Sequence, residues 1–388
     1  LVPVETCMIQ NEEAMMAKRI VAEWANLFGI RAFDEKQKSG TLRQLMVRRT
    51  ESGTMAVIVT TGALPHSDEL VSMLKRGLPS LASCIHGINR NPRDPGIGSK
   101  TELLFGSAEL AETVCGLKFN VGAHSFLQVN PEQTQKLYLA AANALNLTAN
   151  DDVADVFCGI GTISLLLAQR ARSVLGIEAV PPAVKDARRN AKLNNIKNAE
   201  FICENAETAL PRLVAEGKRF SAILLDPPRR GAEKPALDAI VNSGAERIAY
   251  VSCNPATLAR DCKILAAAGY SPMSVQPVDM FPMTHHVETV CLLSKLKSTQ
   301  HIEVEVKMDE MDLTDAEKKA TYQEIKDYVL EHSGLKVSSL YIAQVKQKCG
   351  IIVRENYNKP KSEDAKQPQC PPDKENAIME ALKHFGMI

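Results

Sequence analysis

The sequence predicts an α/β protein built around a doubly wound parallel sheet. The main observation is that apolar, strand-like runs and helical stretches alternate strictly through the middle of the chain, as they do when crossover helices join parallel strands. Mixed helix and strand patterns precede this part, and a helical pattern rich in Glu and Lys follows it. We therefore expect an N-terminal α+β region, a sheet domain and a C-terminal helical extension, over residues 1–130, 131–297 and 298–388 respectively.

The first region begins with an amphipathic pattern over Glu12–Phe28, which predicts a helix. Two strand-like runs, Leu42–Arg49 and Thr54–Thr60, lie on either side of Gly53 and predict a hairpin. We expect this region to form a cap that faces the substrate.

The sheet domain should open with a helix that starts at Pro131 and runs to about Leu145. Five apolar strands are then predicted, at Val153–Phe157, Ser173–Ile177, Ala199–Cys203, Ser221–Asp226 and Arg247–Val251. A last strand, Val287–Ser294, follows a loop instead of a crossover helix, so an antiparallel direction is open to it.

The C-terminal extension contains two helical patterns, Thr314–Ser333 and Ser338–Lys348, with a glycine after each. They resemble a helix-turn-helix, as any helical hairpin does, and from His301 onward 16 acidic residues outnumber 13 basic ones. Asn356–Asn376 is rich in Pro, Lys and Asp and predicts a loose segment before a final helix that ends near Phe385.

Composition indicates a globular protein of balanced charge. Of 388 residues 45% are apolar, and 46 Lys and Arg balance 46 Asp and Glu, so any nucleic-acid surface must be local. Local clusters of basic residues are present at Arg43, Arg48, Arg49, Lys75, Arg76, Arg229 and Arg230. Most clusters of this kind in proteins are simply solvated surfaces. Ten cysteines include no C-x-x-C pair, and no leader or membrane-length apolar run is present. We expect a reduced, cytoplasmic protein that binds no zinc by itself.

A cofactor cradle is predicted where the first strands of the sheet end. Gly159 and Gly161 lie in the first strand-to-helix turn, where a ligand can approach the backbone and the helix N-terminus. Glu178 ends the second strand, where a carboxylate can accept both ribose hydroxyls, and Asn205 follows the third, within reach of an adenine. Position 164 is Ser instead of the third glycine of a nicotinamide site. S-adenosylmethionine, which has no pyrophosphate, therefore fits better than NAD.

A candidate catalytic set follows the fourth and fifth strands. Asp226-Pro227-Pro228-Arg229 presents a carboxylate on a stiff backbone, and Cys253 lies at the tip of the fifth strand. If the last strand pairs with the fifth in antiparallel fashion, Glu288 lies near Cys253. A thiol and a carboxylate beside a methyl donor suit methylation of carbon 5 of uracil: thiolate addition at carbon 6 makes carbon 5 nucleophilic, and a base then removes the carbon 5 proton.

These motifs resemble the RNA (uracil-5-)-methyltransferase family, most closely its 23S ribosomal RNA branch. The resemblance covers residues 1–297 and rests on D-x-F-C-G-x-G from Asp155, G-I-E from Gly176, D-P-P-R from Asp226, V-S-C-N-P-A-T-L-A-R-D from Val251 and D-M-F-P-x-T-x-H-x-E from Asp279. It implies a Rossmann-like class I S-adenosylmethionine-dependent methyltransferase, with Cys253 as nucleophile and Glu288 as general base. It also implies a cofactor shell of Gln128, Phe157, Thr162, Glu178, Asn205 and Asp226.

The chain departs from that family at both ends. Many relatives begin with a small β-barrel and a four-cysteine iron-sulfur site, and the barrel and the first three cysteines have no counterpart here. Cys7 aligns with the fourth cysteine, so a 4Fe-4S cluster is expected only in a longer protein. The extension after residue 300 also lies outside the family core.

Two alternative functions are open. A 5-methylcytosine RNA methyltransferase would call for a second cysteine near Asp226, and none occurs there. An RNA-binding folding or assembly factor would need neither Cys253 nor Glu288. The expected partner is RNA, with ribosomal RNA favoured over transfer RNA, and we expect a monomer that does not bind membranes.

Overall fold

The computed structural model describes residues 4–91, 94, 96–295, 322–349, 370–385 and 387. The chain divides into two units, residues 1–300 and 301–388. The separation of residues 1–130 from 131–297 remains a prediction from the sequence.

The first unit begins with a four-stranded sheet and two helices. The elements are α1 (Glu12–Leu27), β1 (Leu42–Thr50), β2 (Gly53–Thr60), α2 (Ser67–Gly77), β3 (Leu81–Ile88) and β4 (Lys100–Gly106). β1 and β2 form the predicted antiparallel hairpin, whereas α2 returns the chain so that β3 runs parallel to β2. The core between the helices and the sheet includes Trp24, Ile58 and Leu70, each with no exposed surface.

A short hairpin and the sheet domain follow. The hairpin is β5 (Glu109–Val114) and β6 (Leu117–Gly122). The sheet domain comprises α3 (Pro131–Ala144), β7 (Asp152–Val156), α4 (Thr162–Ala168), β8 (Ser173–Glu178), α5 (Pro181–Leu193), β9 (Ala199–Cys203), α6 (Ala206–Ala215), β10 (Ala222–Leu225), α7 (Lys234–Asn242), β11 (Arg247–Ser252), α8 (Pro255–Ala267), β12 (Ser271–Val278) and β13 (Glu288–Ser294).

The large sheet confirms the predicted doubly wound fold. Its strand order is β12-β13-β11-β10-β7-β8-β9, and the pairs from β11 through β9 are parallel. The chain moves outward from β7 first to one side and then to the other, so the order reverses between β7 and β10. Ligands of open α/β sheets bind at the carboxyl ends of the strands beside such a reversal.

β13 runs antiparallel and lies between β11 and β12. The antiparallel pairing with the fifth predicted strand is therefore confirmed. β12 has no counterpart among the predicted strands, because Pro272 and Pro277 interrupt it and nearly all of its residues are exposed. Proline within a sheet is confined to edges, where no neighbour needs its missing N–H.

The second unit contains α9 (Tyr322–Ser333), α10 (Ser339–Lys348) and α11 (Pro372–His384). They share a core of their own, in which Ile325, Ile342 and Ile378 have no exposed surface. The predicted start of the first helix at Thr314 lies outside the described residues. The expectation of a loose segment as far as Asn376 is wrong at its end, because α11 begins at Pro372 with proline in its first turn.

Among the described residues, no helix is both long enough and apolar enough to cross a membrane.

Candidate active site

The structure brings Cys253 and Glu288 to the same edge of the large sheet. β11 ends at Ser252, which pairs with Thr289 of β13, so the residue after β11 and the residue that begins β13 lie side by side. Asn254 caps the next helix, accepting a hydrogen bond from the Ala256 amide at 3.1 Å, and this sharp strand-to-helix turn leaves Cys253 at the strand tip. The antiparallel register thus joins two residues that are far apart in the sequence.

Burial and nearby charges shift the pKa values of both Glu288 and Cys253. Glu288 is only 4% exposed, and burial raises the pKa of its carboxyl group while the Arg229 guanidinium lowers it. Burial also raises the pKa of the Cys253 thiol, and the negative charges of Glu288 and Asp226 raise it further, whereas Arg229 opposes them. Arg229 therefore favours the thiolate that a nucleophile needs.

Asp226 directly follows β10, and its amide donates a hydrogen bond of 3.3 Å to the carbonyl of Val156 in β7. Burial raises the pKa of Asp226 to about 8, with smaller contributions from the charges of Glu288 and Asp155. The charge of Asp226 is therefore coupled to the candidate catalytic pair, Cys253 and Glu288, and Asp226 also belongs to the predicted cofactor shell.

The turn between β7 and α4 forms the predicted cradle. Phe157 has φ +69°, a left-handed backbone that is unusual for a non-glycine residue, and its amide donates to the Ile177 carbonyl at 2.9 Å. Gly159 has φ +56°, and a Cβ there would meet nothing within 4 Å, so the backbone faces open space. At Gly161, with φ +82°, a Cβ would lie 3.1 Å from the Phe201 ring, so this glycine also permits close packing of the turn.

Glu178 ends β8 beside this turn. Its carboxylate accepts hydrogen bonds from the amides of Gly159 at 3.0 Å and Val180 at 2.8 Å. These bonds orient the carboxylate and leave it lone pairs for ribose hydroxyls. Asn205 is exposed at the start of α6, where its side chain makes no capping hydrogen bond. The open backbone at Gly159 and the oriented carboxylate fit a nucleoside ligand such as S-adenosylmethionine.

Gln128 and Thr162 occupy different surroundings. Gln128 is half-buried in the segment between β6 and α3, and the Asn130 side chain ties that segment to the Met280 carbonyl at 3.2 Å. Met280 belongs to the turn that leads to Glu288, so the two segments meet at the sheet edge. Thr162 begins α4 directly after Gly161 of the cradle turn.

Three groups near the site had no catalytic role in the sequence prediction. Asp155 is 1% exposed and accepts a 2.5 Å hydrogen bond from the hydroxyl of Ser164, while burial raises its pKa to about 7. The charge of Arg229 lowers the pKa of Cys253, Glu288 and His286. The signal for Arg229 and His286 was their place inside the two motifs that hold Asp226 and Glu288.

Cys7 lies in the segment that precedes α1. No group of three or more His, Cys, Asp or Glu side chains within the described ranges could hold a metal ion. Cys7 by itself does not fit an iron-sulfur cluster, which takes about four thiolates. The cluster expected for a longer protein stays a prediction.

Comparison with known proteins supports the resemblance predicted from the motifs. Residues 107–296 match the tRNA (uracil-5-)-methyltransferase family. An uncharacterized RNA methyltransferase of Halalkalibacterium halodurans is 43% identical over 296 residues, which cover 76% of this chain and 65% of the relative. One from Caldanaerobacter subterraneus is 41% identical over 76% of this chain and 66% of its own length. The chain thus spans just under two thirds of the length of these relatives.

A solved structure agrees with the sequence comparison. The Pyrococcus abyssi tRNA (uracil-54, C5)-methyltransferase, in complex with S-adenosyl-L-homocysteine, is 27% identical and superposes with a TM-score of 0.62. The superposition covers 76% of this chain and 70% of that one. The predicted resemblance to the RNA (uracil-5-)-methyltransferase family is therefore confirmed, and residues 107–296 carry the match.

Proposed function

We propose that this protein transfers a methyl group from S-adenosylmethionine to carbon 5 of a uridine in RNA, with Cys253 as nucleophile and Glu288 as general base. The observation that supports this most is the meeting of the two side chains at one sheet edge through the pairing of β11 and β13. The match of residues 107–296 to the tRNA (uracil-5-)-methyltransferase family and the similarity to a uracil methyltransferase point to the same reaction.

The reaction follows from the chemistry of the pair. The Cys253 thiolate adds to carbon 6 of uracil, which forms a C–S bond and moves the ring electrons into an enolate with a nucleophilic carbon 5. S-adenosylmethionine supplies an electrophilic methyl group when it is bound. Glu288 then takes the proton from carbon 5, and the electrons of that C–H bond expel the thiolate as the C5–C6 double bond forms again. The raised pKa of Glu288 suits a base that works near neutral pH.

For the cofactor, we propose that the Glu178 carboxylate accepts the ribose hydroxyls and that Asn205 contacts the adenine. Gly159 allows the ligand to approach the backbone, and Gln128 and Asp226 face it from the neighbouring segments. Phe157, Gly161 and Thr162 shape the turn.

Ribosomal RNA is the substrate we favour, because the motifs most resemble that branch of the family, and the cytoplasm is the expected location. Transfer RNA is the second candidate, since the structural neighbour is a transfer-RNA enzyme. Mass mapping of 5-methyluridine in both RNA classes, from cells with and without the complete gene, would distinguish them.

The proposal can be tested with purified protein, labelled S-adenosylmethionine and RNA. Cys253→Ala should abolish methyl transfer while S-adenosylmethionine binding stays near normal, because the thiol acts on the base and lies outside the cradle. RNA with 5-fluorouridine should become covalently attached to the wild type, since fluorine cannot leave as a proton does.

Cys262→Ala is the matched control, because Cys262 lies in α8 and contacts Cys291 instead of the site. It should methylate and form the adduct like the wild type. Methyl transfer at the wild-type rate by Cys253→Ala would overturn the mechanism. A wild type that binds RNA but transfers no methyl group would favour the folding-factor alternative. Labelled 5-methylcytidine as the product would instead favour the alternative of cytosine methylation.

A further inference from the structure

The loop formed by residues 228–232, which follows Asp226, is fastened to the helix that follows Cys253. The carbonyl of Arg229 accepts hydrogen bonds from the Asn254 side chain at 3.2 Å and the Thr257 hydroxyl at 3.4 Å. The next carbonyl, that of Arg230, accepts one from the Arg260 guanidinium at 2.9 Å. Successive backbone groups of the loop are thus held by side chains of α8 and of Asn254, which caps that helix.

Asp261 is the centre of this attachment. Its side chain has no exposed surface and accepts hydrogen bonds from the Tyr250 hydroxyl at 2.6 Å, the Ala232 amide at 2.9 Å and the Arg260 side chain at 2.7 Å. A buried carboxylate is costly unless donors satisfy it. Here one donor is the backbone of the 228–232 loop itself, so satisfying the carboxylate fixes the loop.

The loop is also shaped around Asp261. Gly231 has φ +79°, and a Cβ at that position would lie 2.5 Å from the Oδ2 atom of Asp261. The Gly231 amide closes a turn on the Pro228 carbonyl at 2.8 Å. Only glycine allows the carboxylate and the loop backbone to approach this closely.

The fixed loop presents Arg229 to the reacting thiol. The Arg229 carbonyl is hydrogen-bonded to the side chain of Asn254, the residue after Cys253, so the loop brings Arg229 next to the strand tip that carries the thiol. The charge of its guanidinium lowers the pKa of Cys253, Glu288 and His286. Within the part of the chain that the structure describes, the charges with the largest effect on the pKa of Cys253 are those of Glu288 from β13, Arg229 from the loop and Asp226 after β10, and Arg229 is the cation among them. Because the Arg229 side chain is itself exposed, its place depends on how firmly its backbone is held.

We propose that Asp261 is a positioning residue that, with Tyr250, holds the 228–232 loop so that the Arg229 guanidinium stands beside Cys253 and stabilises its thiolate. The proposal rests on the role of Cys253 in the function proposed above. The proposal adds Arg229, a cation, to the pair formed by Cys253 and Glu288. The hydrogen bonds of Asp261 then serve to keep the Cys253 thiol reactive.

Alkylation of Cys253 tests this without RNA or S-adenosylmethionine, so its failure is separable from failure of the proposed function. The thiolate attacks the carbon of iodoacetamide, iodide leaves and the thiol proton goes to the buffer. The rate at Cys253 is measured from neutral to alkaline pH in the full chain by peptide mass spectrometry, and the exposed Cys203 serves as the internal reference.

Arg229→Gln should slow alkylation of Cys253 at pH 7 by about three- to tenfold and move its profile to higher pH, because a neighbouring cation is lost. Arg229→Lys should restore part of the rate. Asp261→Asn and Tyr250→Phe should shift the profile in the same direction by less, while Cys203 reacts as in the wild type. Arg230→Gln is the matched control and should leave the Cys253 profile unchanged, since that side chain pairs with Glu233.

A wild-type profile in Arg229→Gln would overturn the role of the cation. If Arg229→Gln slows alkylation but Tyr250→Phe and folded Asp261→Asn do not, the positioning role of Asp261 is wrong. Tyr250→Phe decides alone if Asp261→Asn does not fold, because it removes one hydroxyl and keeps the ring that fills the core.

Discussion

At the scale of single residues, Glu288 combines a buried carboxyl group with a carboxyl neighbour. It is 4% exposed, and its charge contributes to the raised pKa of Asp226. Two carboxyl groups placed in this way do not readily ionise together. In the proposed reaction, an incoming uracil would meet a site in which one of them holds a proton while the other accepts one.

Glu288→Gln should slow methyl transfer by roughly 10²–10⁴-fold, the usual effect of losing a positioned base. The Cys253 adduct should still form and take up its methyl group, because Gln cannot remove the carbon 5 proton that releases the product. A methylated protein–RNA species should therefore accumulate on denaturing gels. If no such species forms while Cys253 remains reactive toward iodoacetamide, the base is another group, and Asp226 is the next candidate.

Asp155 gives a prediction for stability and pH. Its folded-state pKa is raised from 3.8 to about 7 by burial, so the folded protein holds this proton more tightly than the unfolded chain. Its contribution to stability is complete below pH 3.8 and is lost as pH rises to about 7. Asp155→Asn has no such proton, so its stability relative to the wild type should rise across that window by at most about 1.4 kcal/mol per pH unit.

Urea unfolding at several pH values measures this difference. Asp152→Asn is the control, because Arg172 and Ser173 lower the pKa of Asp152 to about 2. The stability contributed by Asp152 is lost only as pH falls from 3.8 toward 2, so its variant should run parallel to the wild type at higher pH. If the unfolding free energy of Asp155→Asn also changes with pH in parallel with the wild type, burial does not raise the pKa of Asp155.

At the scale of elements, strand burial decided what the sequence could predict. The strands β7, β8, β10 and β11 are buried on both faces, so their apolar runs are continuous and were predicted within about a residue at each end. β12 lacks such a run, since its residues are exposed at the edge. Nothing in the apolar pattern of β3 distinguishes it from a buried helix segment, and it went unpredicted with its neighbours β4, β5 and β6.

Some residues of the candidate site could be placed from the sequence, and others could not. Residues that end strands, such as Glu178, Asp226 and Cys253, could be placed from the sequence because parallel strands bring their carboxyl ends to one edge. Glu288 could be placed only if β13 ran antiparallel, as it does. The Asp261 network could not be foreseen, because it joins a loop and a helix through side-chain hydrogen bonds that leave no periodic pattern in the sequence.

The N-terminus of α3 links two segments of the site and can be tested by substitution. The Asn130 side chain accepts from the Gln133 amide and donates to the Met280 carbonyl, both at 3.2 Å. Asn130→Ala should lose the helix cap and this link, lowering the free energy of unfolding by about 1–2 kcal/mol. Asn130→Asp keeps the capping oxygen and loses only the donor to Met280, so its loss should be smaller. Equal losses in urea unfolding would mean that the cap contributes nothing.

At the scale of the whole molecule, the predicted catalytic and cofactor residues all lie in the first unit. The second unit has its own core of three helices, and acidic residues outnumber basic ones from His301 onward by 16 to 13. Phosphate contacts provide most of the affinity for RNA. An excess of acidic over basic residues does not favour such contacts, because acidic side chains repel phosphate groups.

Deleting residues 301–388 should therefore leave S-adenosylmethionine binding intact and change RNA affinity little. Calorimetry and filter binding at a fixed salt concentration measure the two affinities, and circular dichroism checks the fold. A large loss of RNA binding in a folded deletion variant would assign RNA recognition to the helical extension.

The position of β13 also determines when the chemistry becomes available as the chain is synthesised. β12 is made before β13 but lies outside it in the sheet, so the place between β11 and β12 stays vacant until β13 has been made. Earlier strands can assemble by then, since chains fold from the N-terminus as they emerge. If Cys253 and Glu288 act as proposed, the nucleophile is in place before the proton acceptor, and we expect an unfinished chain to hold S-adenosylmethionine without modifying RNA.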